Sequence, residues 1–103
     1  MRGYASAEVA LGELYEKGQG VPRDQAAALA WFRLAAQQGH VDGEWKLGVA
    51  YGDGLGVEQD LAQSAEWFRR AAEHGDRWAA TMMGDYYREG KGVEKDEVAA
   101  AEW

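Results

Sequence analysis

The stretch that decides the fold is GLGVEQDLAQSAEWFRRAA, residues 54–72. An earlier copy, GQGVPRDQAAALAWFRLAA, occupies residues 18–36, and a third, GKGVEKDEVAAAEW, occupies residues 90–103. The copies are 36 residues apart, as is seen from the tryptophan at the same place in each: Trp31, Trp67 and Trp103. A fixed period of this length is typical of a solenoid, in which each repeat is one small unit that packs on the next.

Each period predicts two helices joined by glycine-containing turns. Small and apolar residues recur at helical spacing in the first helix, helix A, over about residues 4–17, 41–51 and 77–89. The second, helix B, carries a Trp-Phe pair and is predicted to start at an aspartate, a favourable N-cap residue: Asp24, Asp60 and Asp96. One hairpin cannot bury its apolar face alone, whereas stacked hairpins share a continuous core. The sequence therefore predicts an all-α solenoid of antiparallel helix hairpins.

Helix A has a glycine at one fixed register of its predicted core side: Gly12, Gly48 and Gly84. In the first repeat the apolar residues on that side are Ala7, Leu11, Leu14 and Tyr15. A glycine inside a helix costs about 1 kcal/mol relative to alanine. Because this cost recurs in three repeats, we expect a close helix–helix approach that a Cβ atom would block. The bulky Trp and Phe of helix B are expected to fill the wider gaps between hairpins.

The length of 103 residues predicts a single domain, residues 1–103, with repeats at about 4–39, 40–75 and 76–103. The third repeat is truncated at Trp103, before the Phe and the Ala-Ala pair that the other two possess. Neither end has a recognisable polar capping helix, although solenoids normally have one. Two interpretations remain open. Either the chain is a piece of a longer array, or its uncapped ends pack against further copies and form a homo-oligomer.

Composition and charge restrict the classes of function. A content of 47% hydrophobic and 28% charged residues is typical of a folded chain. The 11 basic and 18 acidic side chains give a formal net charge of −7, which repels both nucleic-acid phosphates and anionic membrane surfaces. We therefore expect neither nucleic-acid binding nor membrane binding. The sequence also has no run of apolar residues long enough to span a bilayer.

The absence of cysteine excludes disulfides and thiolate metal sites. Together with an N-terminus that lacks the apolar region of a signal peptide, it favours a cytoplasmic location. A periplasmic location is left open for a chain that was processed or excised from a longer precursor.

The pattern A-x-x-x-L-G-x-x-Y-x-x-G-x-G-V-x-x-D-x-x-x-A-x-x-W-F-x-x-A-A-x-x-G covers nearly the whole chain. The first repeat carries it on Ala7, Leu11, Gly12, Tyr15, Gly18, Gly20, Val21, Asp24, Ala28, Trp31, Phe32, Ala35, Ala36 and Gly39. The second repeat has Gly43 and Ser64 in two alanine places, and the third has Met83 in the leucine place. This pattern resembles the Sel-one-like repeat family, which is related to the tetratricopeptide repeats.

The resemblance implies a right-handed α-superhelix whose concave face is lined mainly by the A helices. It also implies an adaptor, because members of the family bind proteins or peptides in signalling, secretion, envelope assembly and protein quality control. The expected function is a non-enzymatic protein-interaction scaffold that binds a peptide or helix on the concave face. Two alternatives are a self-assembling structural unit and a bacterial immunity or regulatory protein that blocks a partner.

Signals for catalysis are weak. His40 and His74 fall at predicted turns and are not repeat-equivalent, and Ser64 takes the place of a packing alanine. No Ser/His/Asp order and no H-E-x-x-H motif occurs. The glycines of YGDGLGV are not preceded by a strand, as a nucleotide-binding loop would require. The sequence therefore predicts no catalytic residue, no cofactor and no metal site.

Function is expected at positions that break the repeat. Four positions per repeat lie on the arc of helix A opposite the predicted core: Ser6, Val9, Glu13 and Glu16; Asp42, Trp45, Val49 and Gly52; Trp78, Thr81, Asp85 and Arg88. Trp45 and Trp78 depart from the pattern in neighbouring repeats, and tryptophan is a frequent anchor of interfaces because it buries a large area with few rotamers.

The resulting hypothesis assigns partner binding to Glu13, Asp42, Trp45, Val49, Trp78, Thr81, Asp85 and Arg88. The acidic members of this set would select a basic or amphipathic protein or peptide, laid along the groove as an extended segment or a helix. The competing interpretation is that Trp45 and Trp78 pack on each other, or on the adjacent helix A, as additional core.

Overall fold

Six α-helices make up most of the chain. The computed structural model describes the backbone of residues 2–103 and the side chains from Ala7 onward, apart from that of Glu97. The helices are α1 (Arg2–Lys17), α2 (Gln25–Gln37), α3 (Val41–Asp53), α4 (Leu61–Glu73), α5 (Arg77–Glu89) and α6 (Glu97–Glu102). No strand occurs in residues 2–103. The predicted all-α class is confirmed, and the helices coincide with the predicted A and B helices.

Each helix packs on the next one along the chain. Helices α1 and α2 form one hairpin, α3 and α4 the second, and α5 and α6 the third, while the contacts α2–α3 and α4–α5 join successive hairpins. The molecule is elongated, with extents of 45 × 28 × 17 Å. This arrangement confirms the predicted solenoid of stacked hairpins.

The helix boundaries arise from the same local contacts in each repeat. The Asp24 carboxylate accepts a 3.0 Å hydrogen bond from the backbone N–H three residues further on, and Asp60 and Asp96 cap their helices in the same way. Helices α3 and α5 end at Gly54 and Gly90, which have φ values of 70° and 72°. Glycine is favoured there because a Cβ atom is strained in this left-handed conformation.

The recurring glycine of helix A lies against the phenylalanine of helix B in the same hairpin. A Cβ atom added to Gly12 would lie 2.5 Å from the ring of Phe32, and one added to Gly48 would lie 2.6 Å from the ring of Phe68. Both rings are almost completely buried. The predicted close approach is confirmed, and it is the aromatic ring that fills the space a side chain would need.

Two buried clusters follow one another along the solenoid. Phe32 and Leu47 lie in the first, which brings α1, α2 and α3 together, and Phe68 and Met83 lie in the second, which brings α4 and α5 together. Trp67 of α4 is half-buried and packs against the first cluster, so it bridges successive hairpins as the sequence predicts. Because each cluster draws on two repeats, stacking contributes to the stability of each hairpin.

The predicted core was wrong for one side of α1. The sequence predicts Leu11 and Leu14 in the core, but each is 38% exposed, and Ala7 is exposed as well. The residues equivalent to Leu11 are Leu47 and Met83, which are 0% and 1% exposed. In these later repeats the preceding helix B, α2 or α4, packs on helix A. Helix α1 is the first helix of this chain, so no helix B of the chain covers that side.

A buried polar contact distinguishes the second repeat. Ser64, in the place of an alanine, is fully buried and donates a 2.6 Å hydrogen bond to the carbonyl oxygen of Gly48. Because that bond uses the only hydroxyl proton of the serine, the Tyr86 hydroxyl donates the 2.8 Å bond to Ser64 Oγ. A Cβ atom at Gly52 would lie 3.0 Å from both hydroxyl oxygens. The departures at these positions therefore compensate one another, and each buried hydroxyl has a partner.

We expect Gly48→Ala to lower the free energy of unfolding by about 1–3 kcal/mol, because the added methyl group collides with the Phe68 ring in a packed core. Urea unfolding followed by circular dichroism measures this loss. Gly84→Ala is the matched control, since its methyl group would lie 3.2 Å from the Ala100 carbonyl oxygen and meets no ring. Equal losses in the two variants would show that the ring contact is not the reason for the glycine.

Candidate functional site

The A helices form a continuous surface. We call the A face the side of α1, α3 and α5 that carries the predicted partner-binding residues: Glu13, Asp42, Trp45, Val49, Trp78, Thr81, Asp85 and Arg88. Lys46 of α3 reaches across to α1, where its Nζ lies 3.0 Å from Oε1 of Glu16 and 4.0 Å from Oε2 of Glu13. On the other side of α3, Met82 of α5 packs against the cluster that Trp45 also contacts. The three helices are therefore neighbours along this face.

Trp45 is half-buried and packs against α4, which is helix B of its own hairpin. Its ring lies 5.1 Å from that of Phe68, centroid to centroid, at an angle of 50°. Val49, one turn further along α3, is also half-buried and packs against the same cluster. Both side chains are apolar, pack against the second buried cluster and stay partly accessible to solvent.

The equivalent of Trp45 in the first repeat corrects the predicted exposed arc. Val9 is predicted opposite the core, but it is only 7% exposed and belongs to the first buried cluster. At this register Trp45 contacts Phe68 of its own hairpin, and Val9 shares the first buried cluster with Phe32. Thr81, at the same register of α5, is exposed, and the chain ends before an equivalent phenylalanine. Ser6, on the same arc, lies outside the described side chains.

Trp78 lies in the first turn of α5 and is 70% exposed. Its backbone is held in place, because its N–H donates a 2.8 Å hydrogen bond to Oδ1 of the N-cap residue Asp76. The two off-pattern tryptophans thus differ in their exposure to solvent. Trp45 is partly included in the core, whereas the indole of Trp78 projects from an ordered helix start.

The charged residues of the A face are mostly paired within the chain. Glu13 lies beside Lys46, and Asp85 accepts a 2.7 Å hydrogen bond from Arg88 on the same helix. Asp42 is exposed in the first turn of α3, where a negative charge favours the helix dipole. Exposed pairs of this kind contribute at most about 1 kcal/mol. Their side chains can therefore exchange partners at little cost.

Sequence reasoning missed Lys46 and Met82 as members of this surface. Lys46 lies over the Phe32 ring, with Nζ 5.4 Å from its centroid, and it lines a small cavity of about 70 Å³ with Glu16, Trp45 and Val49. The sequence does show that Lys46 departs from the repeat, because the equivalent residue in the first repeat is Ala10. This position was missed because it is not one of the four positions per repeat that were predicted to lie opposite the core.

On α4, two arginines form ion pairs with carboxylates of the same helix. Arg69 contacts Glu66 and Glu73, and Arg70 contacts Glu66 and the Trp67 ring. Partial desolvation lowers the pKa of Arg69, but the two carboxylates raise it by more, so the net shift is upward. These cations stabilise α4 locally, as pairs three or four residues apart do.

The two histidines lie at helix ends, as the sequence predicts. His40 precedes α3 at its N-cap position, and His74 follows α4 at its C-cap position. Nδ1 of His74 lies 2.7 Å from Oε1 of Glu44, which is buried. Within the described residues, no group of three or more His, Cys, Asp or Glu side chains is arranged to hold a metal ion.

The fold and the A face define a class of protein, the helical-repeat scaffold. A family model described as the Sel1 repeat matches residues 5–40, 41–76 and 79–103. The chain therefore belongs to the Sel1 repeat family.

Solved structures of bacterial proteins are similar to this chain. One is a protective antigen present in uropathogenic Escherichia coli strains that displays an SLR fold, with 47% sequence identity and a TM-score of 0.94 over 99% of this chain and 22% of that one. Another is a Sel1 repeat protein from Oxalobacter formigenes, with 40% identity and a TM-score of 0.92 over 98% of this chain and 42% of that one. This chain thus spans less than half the length of either. Among curated proteins, none matches this sequence.

Sel1 repeat proteins are generally protein-interaction scaffolds and are typically non-enzymatic. The protein-interaction class of the family agrees with the class that the sequence predicts. Of the helices in the described part of the chain, none combines the length and the apolar character needed to cross a membrane.

The two tryptophans are expected to differ in their contribution to stability. Trp45→Ala should lower the free energy of unfolding by about 2 kcal/mol, since it removes a half-buried ring from the Phe68 contact. Trp78→Ala should change it by less than about 0.5 kcal/mol, as exposed substitutions usually do. Urea unfolding of both variants tests the difference. A loss at Trp78 as large as that at Trp45 would contradict the solvent-exposed placement of its ring.

Proposed function

We propose that this chain is a protein-interaction module that binds a peptide or helix of another protein along the A face, between α3 and α5. The observation that carries the proposal is Trp78, whose indole is 70% exposed on an ordered first turn of α5. Exposing so large an apolar ring is unfavourable in the free protein. A partner that covers it would recover that free energy, and tryptophan is enriched among residues that dominate binding.

The surroundings of Trp78 support a groove rather than an isolated anchor. On α5 the residues at helical spacing from Trp78 are Met82, which is half-buried, and Asp85. On α3 the half-buried pair Trp45 and Val49 faces the same cluster as Met82. In the proposed groove Trp45, Val49 and Met82 would supply the apolar surface and Trp78 the protruding ring, which suits an amphipathic helix or an extended segment with alternating apolar side chains.

Charge indicates the chemistry of the partner. The chain carries a net charge of −7, with Asp42 in the first turn of α3 and Asp85 in the second half of α5. A partner segment with lysine or arginine beside its apolar residues would approach a complementary potential. The same groove would serve an adaptor and a regulatory protein that blocks its partner, because both act by binding.

A displayed library of random peptides, selected on the wild-type protein, tests this proposal. We expect the selected peptides to combine basic and apolar residues. We expect Trp78→Ala to weaken their binding by at least tenfold, since loss of an anchor that contributes about 2 kcal/mol corresponds to about thirtyfold. Isothermal calorimetry with the purified peptides measures the affinities, and circular dichroism verifies that the variant is folded.

The matched control is Leu34→Ala on α2. Leu34 is 44% exposed but lies on a helix B, outside the A face. Its removal should leave peptide affinity unchanged. Peptides that bind the Trp78 variant as tightly as the wild type, or that respond to Leu34 instead, would place binding on another surface and exclude the proposed groove.

Self-association is a second candidate function, favoured by the exposed side of α1. Leu11 and Leu14 are each 38% exposed, whereas the residues equivalent to Leu11 are covered by a neighbouring helix B. A second copy of the chain would bury these side chains as a neighbouring hairpin does in the later repeats.

Light scattering on a size-exclusion column distinguishes this candidate. If the side of α1 associates, the wild-type mass should rise with concentration, and Leu11→Glu should remain a monomer because a carboxylate cannot be buried unpaired. A wild-type monomer at every concentration would exclude self-association and leave partner binding as the function.

A further inference from the structure

A cavity between the first two hairpins is lined by residues that break the repeat. It has a volume of about 70 Å³ and lies where α1, the start of α2, α3 and the loop after α3 meet. Its lining includes these departures, given with their equivalents in the other repeats: Trp45 (Val9 and Thr81), Lys46 (Ala10 and Met82), Val49 (Glu13 and Asp85) and Leu55 (Gln19 and Lys91). Residues needed only to build the solenoid would recur at the period, so departures gathered at one place indicate a functional site.

The cavity has mostly apolar walls. Leu29 and Phe32 of α2 are buried there, and the half-buried side chains of α3 complete the apolar part. Its polar groups are those of Gln25 and of one ion pair, in which Nζ of Lys46 lies 3.0 Å from Oε1 of Glu16. Both members of this pair are 25% exposed. The lining therefore combines buried apolar carbon with an ion pair that is accessible to solvent.

The cavity adjoins the proposed groove. Trp45 and Val49 line the cavity, and the same two side chains pack against the second cluster, which Met82 of α5 also contacts. They are therefore shared between the cavity and the groove. A segment that is bound beside Trp78 and continues across α3 would reach the cavity.

We propose that this cavity is a second anchoring site, which takes up an aliphatic side chain of the segment bound along the A face. The second anchor belongs to the partner of the proposed function and so rests on that proposal. A cavity of about 150 Å³ holds a benzene ring, and this one has less than half that volume. Its size therefore suits an aliphatic side chain better than an aromatic one, and burial of that side chain would favour binding.

Charge complementarity places a basic residue of the partner beside the aliphatic one. Lys46 Nζ lies 3.0 Å from Glu16 and 4.0 Å from Glu13, so two carboxylates share one ammonium group. The Glu13 side chain is 42% exposed. A lysine or arginine of the partner would neutralise the excess negative charge there, whereas an acidic residue would be repelled.

Calorimetry with the peptides selected on the wild-type protein tests the second anchor. Leu55 is 38% exposed, and Leu55→Ala removes part of the cavity wall. We expect this variant to lose peptide affinity by at least about fivefold. Leu34→Ala is the matched control, since it makes the same change at a leucine of similar exposure that does not line the cavity. It should bind as the wild type does.

Double-mutant cycles identify the peptide residue that enters the cavity. Each apolar residue of a selected peptide is replaced by alanine and measured against the wild type, Leu55→Ala and Trp78→Ala. We expect one aliphatic residue to be coupled to Leu55, with effects that depart from additivity by at least about threefold. A different residue of the peptide should be coupled to Trp78.

Size discrimination provides an additional readout. Phenylalanine in place of the coupled aliphatic residue should weaken binding to the wild type by at least about tenfold, because the ring overfills the cavity. It should weaken binding to Leu55→Ala much less, because the shorter side chain enlarges the cavity. A cavity that only fills space inside the free protein would show no such difference.

The charged neighbour is tested with Glu13→Gln. This variant should lose affinity by about two- to fivefold, as expected for an exposed ion pair. The loss should disappear with a peptide whose basic residue is replaced by glutamine. An equal loss with both peptides would overturn the assignment of a basic residue to this place.

The outcomes separate the second anchor from the groove. If Trp78→Ala weakens binding and Leu55→Ala does not, the groove stands and the second anchor is wrong. If neither variant weakens binding, both proposals are wrong. Circular dichroism verifies that each variant is folded. Should Leu55→Ala fail to fold, Leu55→Gln takes its place, because it copies Gln19 at the same position of the first repeat.

Discussion

The contact between a glycine of helix A and a buried phenylalanine of helix B is the constraint on which the rest of the structure depends. At Gly12 and Gly48 the ring occupies the place of the missing side chain. The two helices of a hairpin therefore approach closely enough for the ring to be covered on all sides. Because the period places this contact at the same register in successive repeats, hairpins of the same shape stack on one another, and two buried clusters follow along the chain.

Departures from the repeat are accommodated in two different ways. Inside the hairpins they come in compensating sets, as Ser64, Tyr86 and Gly52 do, since a buried hydroxyl without a partner would cost about 1–3 kcal/mol. On the A face they need no compensation from within the chain, and an exposed indole such as Trp78 is tolerated there. Side chains of the A face that break the repeat and pack on nothing within the chain, such as Trp78, are the ones available to a binding partner.

Much of the candidate site could be predicted from the helical spacing of its residues alone. Positions at helical spacing share a side of a helix, so the sequence placed Trp78, Asp42 and Asp85 on one surface. It could not tell that Val9 is buried, because that depends on how far helix A is rotated towards its helix B. Nor could it tell that Lys46 crosses to α1, since a salt bridge between repeats depends on the spacing of the two helices. The division into repeats at 4–39, 40–75 and 76–103, within a single domain, stays a prediction.

The sequence by itself determined the period, the helices, their aspartate caps and glycine ends, and the register at which a side chain is excluded. These are local properties that recur in every repeat, so three copies are enough to identify them from the sequence. The tertiary structure alone decided which side chains are covered. Trp45 is half-buried because Phe68 lies beside it, Leu11 is exposed because no helix B of the chain packs on that side of α1, and Glu44 meets His74 because the start of α3 adjoins the end of α4. Whether a side chain is buried depends on the residues around it. Those that are distant in sequence come next to it only when the hairpins stack.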